Sequence, residues 1–311
     1  MDLLIEILSS GLRQGLIWSM LILGVYISFR VLDIADLSIE GTFPLGATIA
    51  ALCIIKGVNP ILSTILATAA GFLGGMLTGF LHTKCKIPAI LAGIITLTAF
   101  ITINMLILGF TQEGTSTLGS AVIDGRTIFS KPKEWLMNLF SLKASTASSI
   151  SQIVVSAIVA LVVYLIIYYL FGTEFGMALR ATGNNKVMAK AQGIKTDLMI
   201  IFGLAISNAL IALSGALFAE AASTADVNAG KGAIVNGLSA IIIGELIFGK
   251  KSFKVALISC LVGSFIYFTL KYIVICLDLV EYLYLVQAII ITLLMVVPMI
   301  AKKRKLDYDW N

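Results

Sequence analysis

Charge is scarce in this sequence. Asp, Glu, Lys and Arg make up only 13% of its 311 residues, about half of the roughly 25% usual in a soluble domain. There is too little polar surface to coat a globule in water, so the apolar residues must face lipid or one another. Histidine is nearly absent: His82 is the single instance and sits in a basic turn. The four cysteines, Cys53, Cys85, Cys260 and Cys276, show neither a CxxC pair nor metal-ligand spacing, and read as small apolar packing residues. No HExxH, no GxSxG and no paired acidic residues at helical spacing inside a span are found. These absences argue against an enzyme, and no catalytic residue, metal or cofactor is expected. Asp2 and Glu6, rather than basic residues, precede the first apolar run, which argues against a cleaved signal peptide.

What is abundant is continuous apolar sequence. The hydrophobic fraction is 59% and the mean hydropathy +1.02. A helix needs about 20 mainly apolar residues to cross a bilayer. The runs do not alternate with period two, which excludes a membrane barrel. The expected fold is an all-α integral membrane bundle, one domain over 1–311. We read about nine spans, near 12–29, 41–56, 60–81, 87–109, 150–171, 198–222, 232–248, 255–274 and 284–301. The second is short and begins in a broken stretch, Asp33 to Pro44.

Orientation follows from the basic residues, which gather on the cytoplasmic side. Lys84 and Lys86 follow span three; Arg180, Lys186, Lys190 and Lys195 follow span five. Lys250, Lys251 and Lys254 follow span seven, and Lys302-Lys303-Arg304-Lys305 follows span nine. With Arg30, all fall on one side if the N-terminus is outside and the C-terminus inside. The net charge of +5 therefore marks a lipid bilayer, not nucleic acid. Residues 110–149 become an extracytoplasmic loop and 172–197 a cytoplasmic segment.

That cytoplasmic segment is punctuated like structure, not like a solvated loop. Thr173 can cap a short helix that Gly183 ends in the left-handed conformation glycine adopts cheaply. Asn184 or Asn185 can cap a second, Lys186 to Gln192, which Gly193 ends. The run from Phe175 to Ile194 resembles the coupling segment of ABC-importer permeases of the branched-chain amino-acid and ribose-type family. Asp36-Leu-Ser-Ile-Glu-Gly-Thr-Phe-Pro-Leu-Gly-Ala resembles that family's sequence before its broken second helix, and the order of segments is similar over about 12–300. The chain looks closest to an amino-acid-type branch in which aromatic amino acids are plausible cargo.

The resemblance implies that Arg180, Gly183, Asn184, Asn185, Ala189 and Gly193 belong to an element docking on ATPase subunits. Thr182 and Gln192 depart from the family's small apolar residues at those places. Other partners it implies are an extracytoplasmic substrate-binding protein and a second permease copy. A sugar or nucleoside cargo, or a self-contained transporter or channel, are the alternatives. Gly244 to Lys251 has Walker A spacing, but Lys251 replaces the Mg²⁺-binding Ser or Thr and no strand precedes it. With no ATP site, the chain would need a separate motor.

Within the spans, Gly71, Gly75 and Gly79 form a stripe for close helix packing. Asn104, Asn208, Asn236, Ser207, Thr96 and Thr98 either line a path or hydrogen-bond neighbouring helices. Glu40, Thr42 and Phe43 have the stronger claim to a translocation path, because the helix is expected to break at Gly41 and Pro44, and discontinuous helices mark such paths. Gly41 to Ala47 is echoed by Gly232 to Leu238, a faint internal repeat. The carboxylates are expected near span ends. Glu245 reads as an interface charge beside Lys250 and Lys251, Glu220 and Asp226 as outer-rim groups open to a docking protein or to solvent.

Overall fold

The computed structural model describes residues 2–109, 119–123, 126–140, 143–249 and 252–277, with isolated positions up to 296. The chain is helical: α1 (Asp2–Tyr26) continued by a π turn (Ile27–Val31), α2 (Ile39–Ile55), α3 (Pro60–Thr83), α4 (Ala89–Gly109), α5 (Ser130–Phe140), α6 (Ala144–Gly172), α7 (Glu174–Asn184), α8 (Lys186–Ala191), α9 (Thr196–Ala222), α10 (Ala233–Phe248) and α11 (Phe253–Cys276). Among the described residues, seven helices are long and apolar enough to cross a membrane by length and composition, and α2 is a shorter apolar helix. The expected ninth span, 284–301, lies outside the described residues but for isolated positions.

Local chemistry sets several of these starts. Asn59 caps α3 by accepting from the Ile61 N–H, with Pro60 in the first turn, where its missing N–H goes unneeded. Ser252 accepts from the Val255 N–H at the start of α11. α4 and α6 leave wide apolar faces exposed, whereas α1 and α9 are largely buried, and so is α2.

α1 and α9 run antiparallel, with Ser214 Oγ donating to the Ile17 carbonyl and Ser207 Oγ to that of Gly24, both at 2.8 Å. Small residues then bring a further helix onto each. The Gly71, Gly75 and Gly79 stripe of α3 lies on the α9 backbone: a Cβ at Gly79 would come within 2.7 Å of Ile201 Cα, and one at Gly75 within 2.7 Å of Ala205 Cα. A Cβ at Gly15 of α1 would likewise come within 2.9 Å of Phe265 Cα in α11.

Two features differ from the expectation. Gly41 and Pro44 do not break α2; both lie inside it. Pro44 removes one backbone donor near the helix start, and Gly230 packs where a Cβ would be 2.7 Å from its ring. The interruption is earlier, in the connector 32–38, where Asp33 takes φ +56°. The segment read as an outer loop also holds α5, and β1 (Ser120–Val122) pairs antiparallel with β2 (Thr224–Asp226), Ala121 opposite Ala225. Three-residue strands and a short amphipathic helix leave little periodic signal in sequence.

α10, too, starts within the bundle, after a 3₁₀ turn (Val227–Gly230). The starts of α2 and α10 meet: Glu40 Oε1 accepts from the Gly232 N–H at 3.1 Å. Next to them in the chain, Asp36 reaches Asn208, near the midpoint of α9. The two Gly-rich segments that echo one another thus adjoin at the starts of α2 and α10.

Candidate functional site

Two places concentrate the polar groups of the described chain: a helical foot formed by α7 and α8, and a seam at mid-bundle where α2 and α10 begin.

The foot is built by its caps. Thr173 Oγ1 accepts from the Gly176 N–H at 3.5 Å and starts α7. Asn185 Oδ1 accepts from the Met188 N–H at 2.9 Å and starts α8, and Gly193 follows at φ +82°. Gly183 is different from its expected part. It lies inside α7, which ends one residue later at Asn184, and it is not left-handed. Its function is proximity: a Cβ there would overlap the Val31 carbonyl oxygen and come within 2.8 Å of Leu32 Cα. Helix α7 therefore sits directly on the backbone where α1 gives way to the connector.

The other foot residues split between seat and surface. Ala189 is buried. Arg180 turns back onto the bundle, donating to the Phe171 carbonyl at 3.1 Å and lying 5.7 Å from the Phe253 ring centre. The outward face carries Met177, Val187 and Met188, exposed by 51%, 81% and 59%, beside Lys186, which pairs with Asp197 at 3.6 Å. The sequence reading, drawn to glycine and asparagine, missed these three. Their signal was bulky apolar residues in a basic segment outside any span.

Behind the foot lies a cavity of about 570 Å³ lined by the π turn, α7 and the α10–α11 turn. Arg30 and Glu245 close an ion pair of 2.7 Å across its wall. In sequence Arg30 serves only as a topology marker and Glu245 as an interface charge beside Lys250 and Lys251, which lie outside the described residues.

At the seam, most residues expected to line a path are engaged between helices. Asn104 Nδ2 donates to the Gly41 carbonyl at 3.1 Å. Asn208 Nδ2 donates to Asp36 Oδ2 at 2.7 Å, and Asn236 Oδ1 accepts from the Tyr267 hydroxyl at 2.6 Å. Thr42 Oγ1 donates to the Ser38 carbonyl at 3.0 Å. Phe43 stacks on Trp18 at 4.9 Å and tilts against Phe218 at 5.6 Å. Thr42, Phe43, Asn104 and Asn208 are fully buried, while Glu40 is half-buried.

Two carboxylates overturn the expectation that acids stay at exposed span ends. Asp36 is 1% exposed. It accepts from Ser38 N–H at 2.9 Å, Ser38 Oγ at 2.6 Å and Asn208. Glu220 is equally buried, accepting from Thr64 Oγ1 at 2.8 Å and the Ile128 N–H at 2.7 Å. Both are satisfied as buried charges or acids must be. A polar stretch such as 33–40 looks like a loop in sequence, and that concealed Asp36.

A multi-pass helical membrane protein, with the starts of two helices meeting inside the bundle and a paired-helix foot at one end, has the build of a transport permease. The chain belongs to the family described as the branched-chain amino acid transport system permease component, whose model matches residues 7–296; it is an ABC-type permease. It is 35% identical over 258 residues to the tyrosine transport system permease protein of Clostridioides difficile, covering 83% of this chain and 79% of that one. An uncharacterized protein of Rickettsia prowazekii is 33% identical over 267 residues, 85% and 87% of the two chains. An autoinducer 2 import system permease protein of Yersinia pseudotuberculosis is 26% identical over 212 residues, 68% of this chain and 54% of its own. No solved structure matches. The characterised relatives are named as transporters rather than enzymes.

Proposed function

We propose that this chain is the membrane-spanning subunit of a bacterial ABC importer in the cell membrane, paired as a homodimer, driven by separate ATPase subunits and fed by an extracytoplasmic substrate-binding protein. The foot carries this reading. Exposed Met177, Val187 and Met188 give an ATPase a surface to grip, and Arg180, Gly183, Asn184, Asn185, Ala189 and Gly193 seat, cap and end the helices that hold it. The basic residues of this end support a cytoplasmic foot, with the N-terminus outside and the C-terminus inside. An amino acid with an aromatic side chain is the cargo best supported, by the likeness to the tyrosine permease.

The path runs by the seam. Glu40 is the half-buried carboxylate there, and at that depth a charge needs water or a polar partner. Thr42, Phe43, Asn104, Asn208 and Asn236 hold the helices around it. Buried Asp36 gives the rival secondary transporter the carboxylate it requires, but its oxygens accept from the fixed donors of Ser38 and Asn208. Reconstitution with the ATPase and binding protein decides between them: labelled aromatic amino acid should enter proteoliposomes only with ATP. Uptake by the permease alone on an ion gradient would refute the importer. Orientation is read separately from a variant retaining only exposed Cys85, which an impermeant thiol reagent should label in inside-out vesicles and not in right-side-out ones.

A further inference from the structure

We propose a binding site for an anionic phospholipid at the joint between α6 and α7. A concavity of about 510 Å³ opens there between the end of α6 and the start of α11, with Arg180, Lys254, Ser252 and Tyr168 in its wall. A second, about 500 Å³, adjoins it through Tyr169 and Thr173 and is otherwise lined by Leu165, Ile166, Leu170 and Phe175. The first carries the two cations among aromatic walls. The second is an apolar groove that follows α6 into the membrane.

The charges are available for a headgroup. Among the described residues the ion pairs are Arg30–Glu245 and Lys186–Asp197, so neither Arg180 nor Lys254 is neutralised by a carboxylate there. Arg180 is held in place by the Phe171 carbonyl and the Phe253 ring, and Lys254 stands 5.2 Å from the Tyr168 ring centre. Both cations are thus fixed at the membrane boundary by aromatic groups, where Tyr168 and 78%-exposed Tyr169 suit the interfacial layer. A phosphodiester at Arg180 and Lys254 would lay its acyl chain along Leu165, Ile166 and Leu170. A free phosphate would use only the first concavity; the continuous apolar groove is what selects a lipid. Basic pockets between helices at this level take acidic headgroups by the same charge match.

The test uses the full-length protein in phosphatidylcholine nanodiscs containing spin-labelled lipid at trace level. The immobilised fraction of spin-labelled phosphatidylglycerol should exceed that of spin-labelled phosphatidylcholine. Lys254→Gln, at an exposed side chain, should lower this preference by roughly five-fold, the worth of one basic residue at an anionic surface. Lys84→Gln, another exposed lysine at the same end, should leave it unchanged. Leu165→Trp, filling the groove, should lower retention of both labelled lipids. Equal immobilisation of the two lipids in the wild type, or equal effects of the two lysine variants, would overturn the site. Displacement of the label by inorganic phosphate alone, with Leu165→Trp silent, would make it a phosphate site and refute the lipid.

Discussion

Replacing Gly183 by alanine tests how the foot is seated, because the sign of the effect is diagnostic. At an ordinary interior helix position, Gly→Ala stabilises by about 0.5–1 kcal/mol. Gly183 is interior to α7, yet its Cβ would overlap the Val31 carbonyl oxygen and lie 2.8 Å from Leu32 Cα. Carbon atoms rest about 3.5–4.0 Å apart, so α7 must withdraw by ~1 Å. Overpacking of this sort costs about 1–3 kcal/mol, enough to reverse the propensity gain while leaving the bundle folded. Thermal unfolding in detergent should therefore show Gly183→Ala below the wild type. In proteoliposomes with the ATPase and binding protein, cargo-stimulated ATP hydrolysis should fall several-fold. Gly193→Ala provides the contrast. Its φ of +82° is worth about 1–2 kcal/mol, but its Cβ meets nothing within 4 Å, so α7 keeps its seat and coupling should suffer less. A raised unfolding temperature in Gly183→Ala would refute the close contact. A lowered one with full ATPase stimulation would refute the docking role.

Further outcomes follow from the seam and the helix contacts. Asp36→Asn should lower stability by about 1–3 kcal/mol, since its amide opposes the Asn208 amide and leaves a buried donor unpaired; an unchanged unfolding midpoint would count against that hydrogen bond. Gly75→Leu should destabilise by at least as much as other overpacked sites, about 1–3 kcal/mol, because Ala205 Cα and the Leu204 carbonyl lie where its side chain begins; normal yield and midpoint would contradict the packing of α3 on α9. A double-mutant cycle on Arg30 and Glu245 should give about 1 kcal/mol or less for this partly exposed pair, and a much larger coupling would show that the pair is shielded from water. Glu40→Gln should reduce ATP-driven uptake more than it reduces unfolding temperature, whereas parallel losses would make Glu40 structural.

The sequence carried the membrane class, the positions of the long helices and the existence of the foot, because each leaves a local signature. Apolar runs announce α3, α4 and α6, and Thr173, Asn185 and Gly193 announce caps and a stop. What it did not carry depends on distant neighbours. Gly183 looks like a helix terminator until Val31 is placed against it. Pro44 looks like a break because its missing donor is visible in the sequence while Gly230 packing on its ring is not. Asp36 and Glu220 look solvent-bound until Asn208, Thr64 and Ile128 arrive from elsewhere in the chain. The polar residues assigned to a path show the same limit: asparagine in a span has two uses, and only the position of Gly41, Tyr267 or Asp36 tells them apart.

The connector 32–38 has a mechanical consequence. One end is pinned under Gly183 of α7, and the other, through Asp36 and Ser38, is tied to Asn208 and leads straight into α2. The seat itself is a packing contact, with Gly183 lying on the backbone of Val31 and Leu32. Such a contact resists being pressed and parts when drawn open, so it bears load in one direction only. Seven residues can span at most about 25 Å, so the piece is short enough to pass a push on to Asp36, Asn208 and the start of α2. A foot seated in this way drives the middle of the membrane domain when pressed inward and lets go of it when withdrawn, as a strut does and a rope does not.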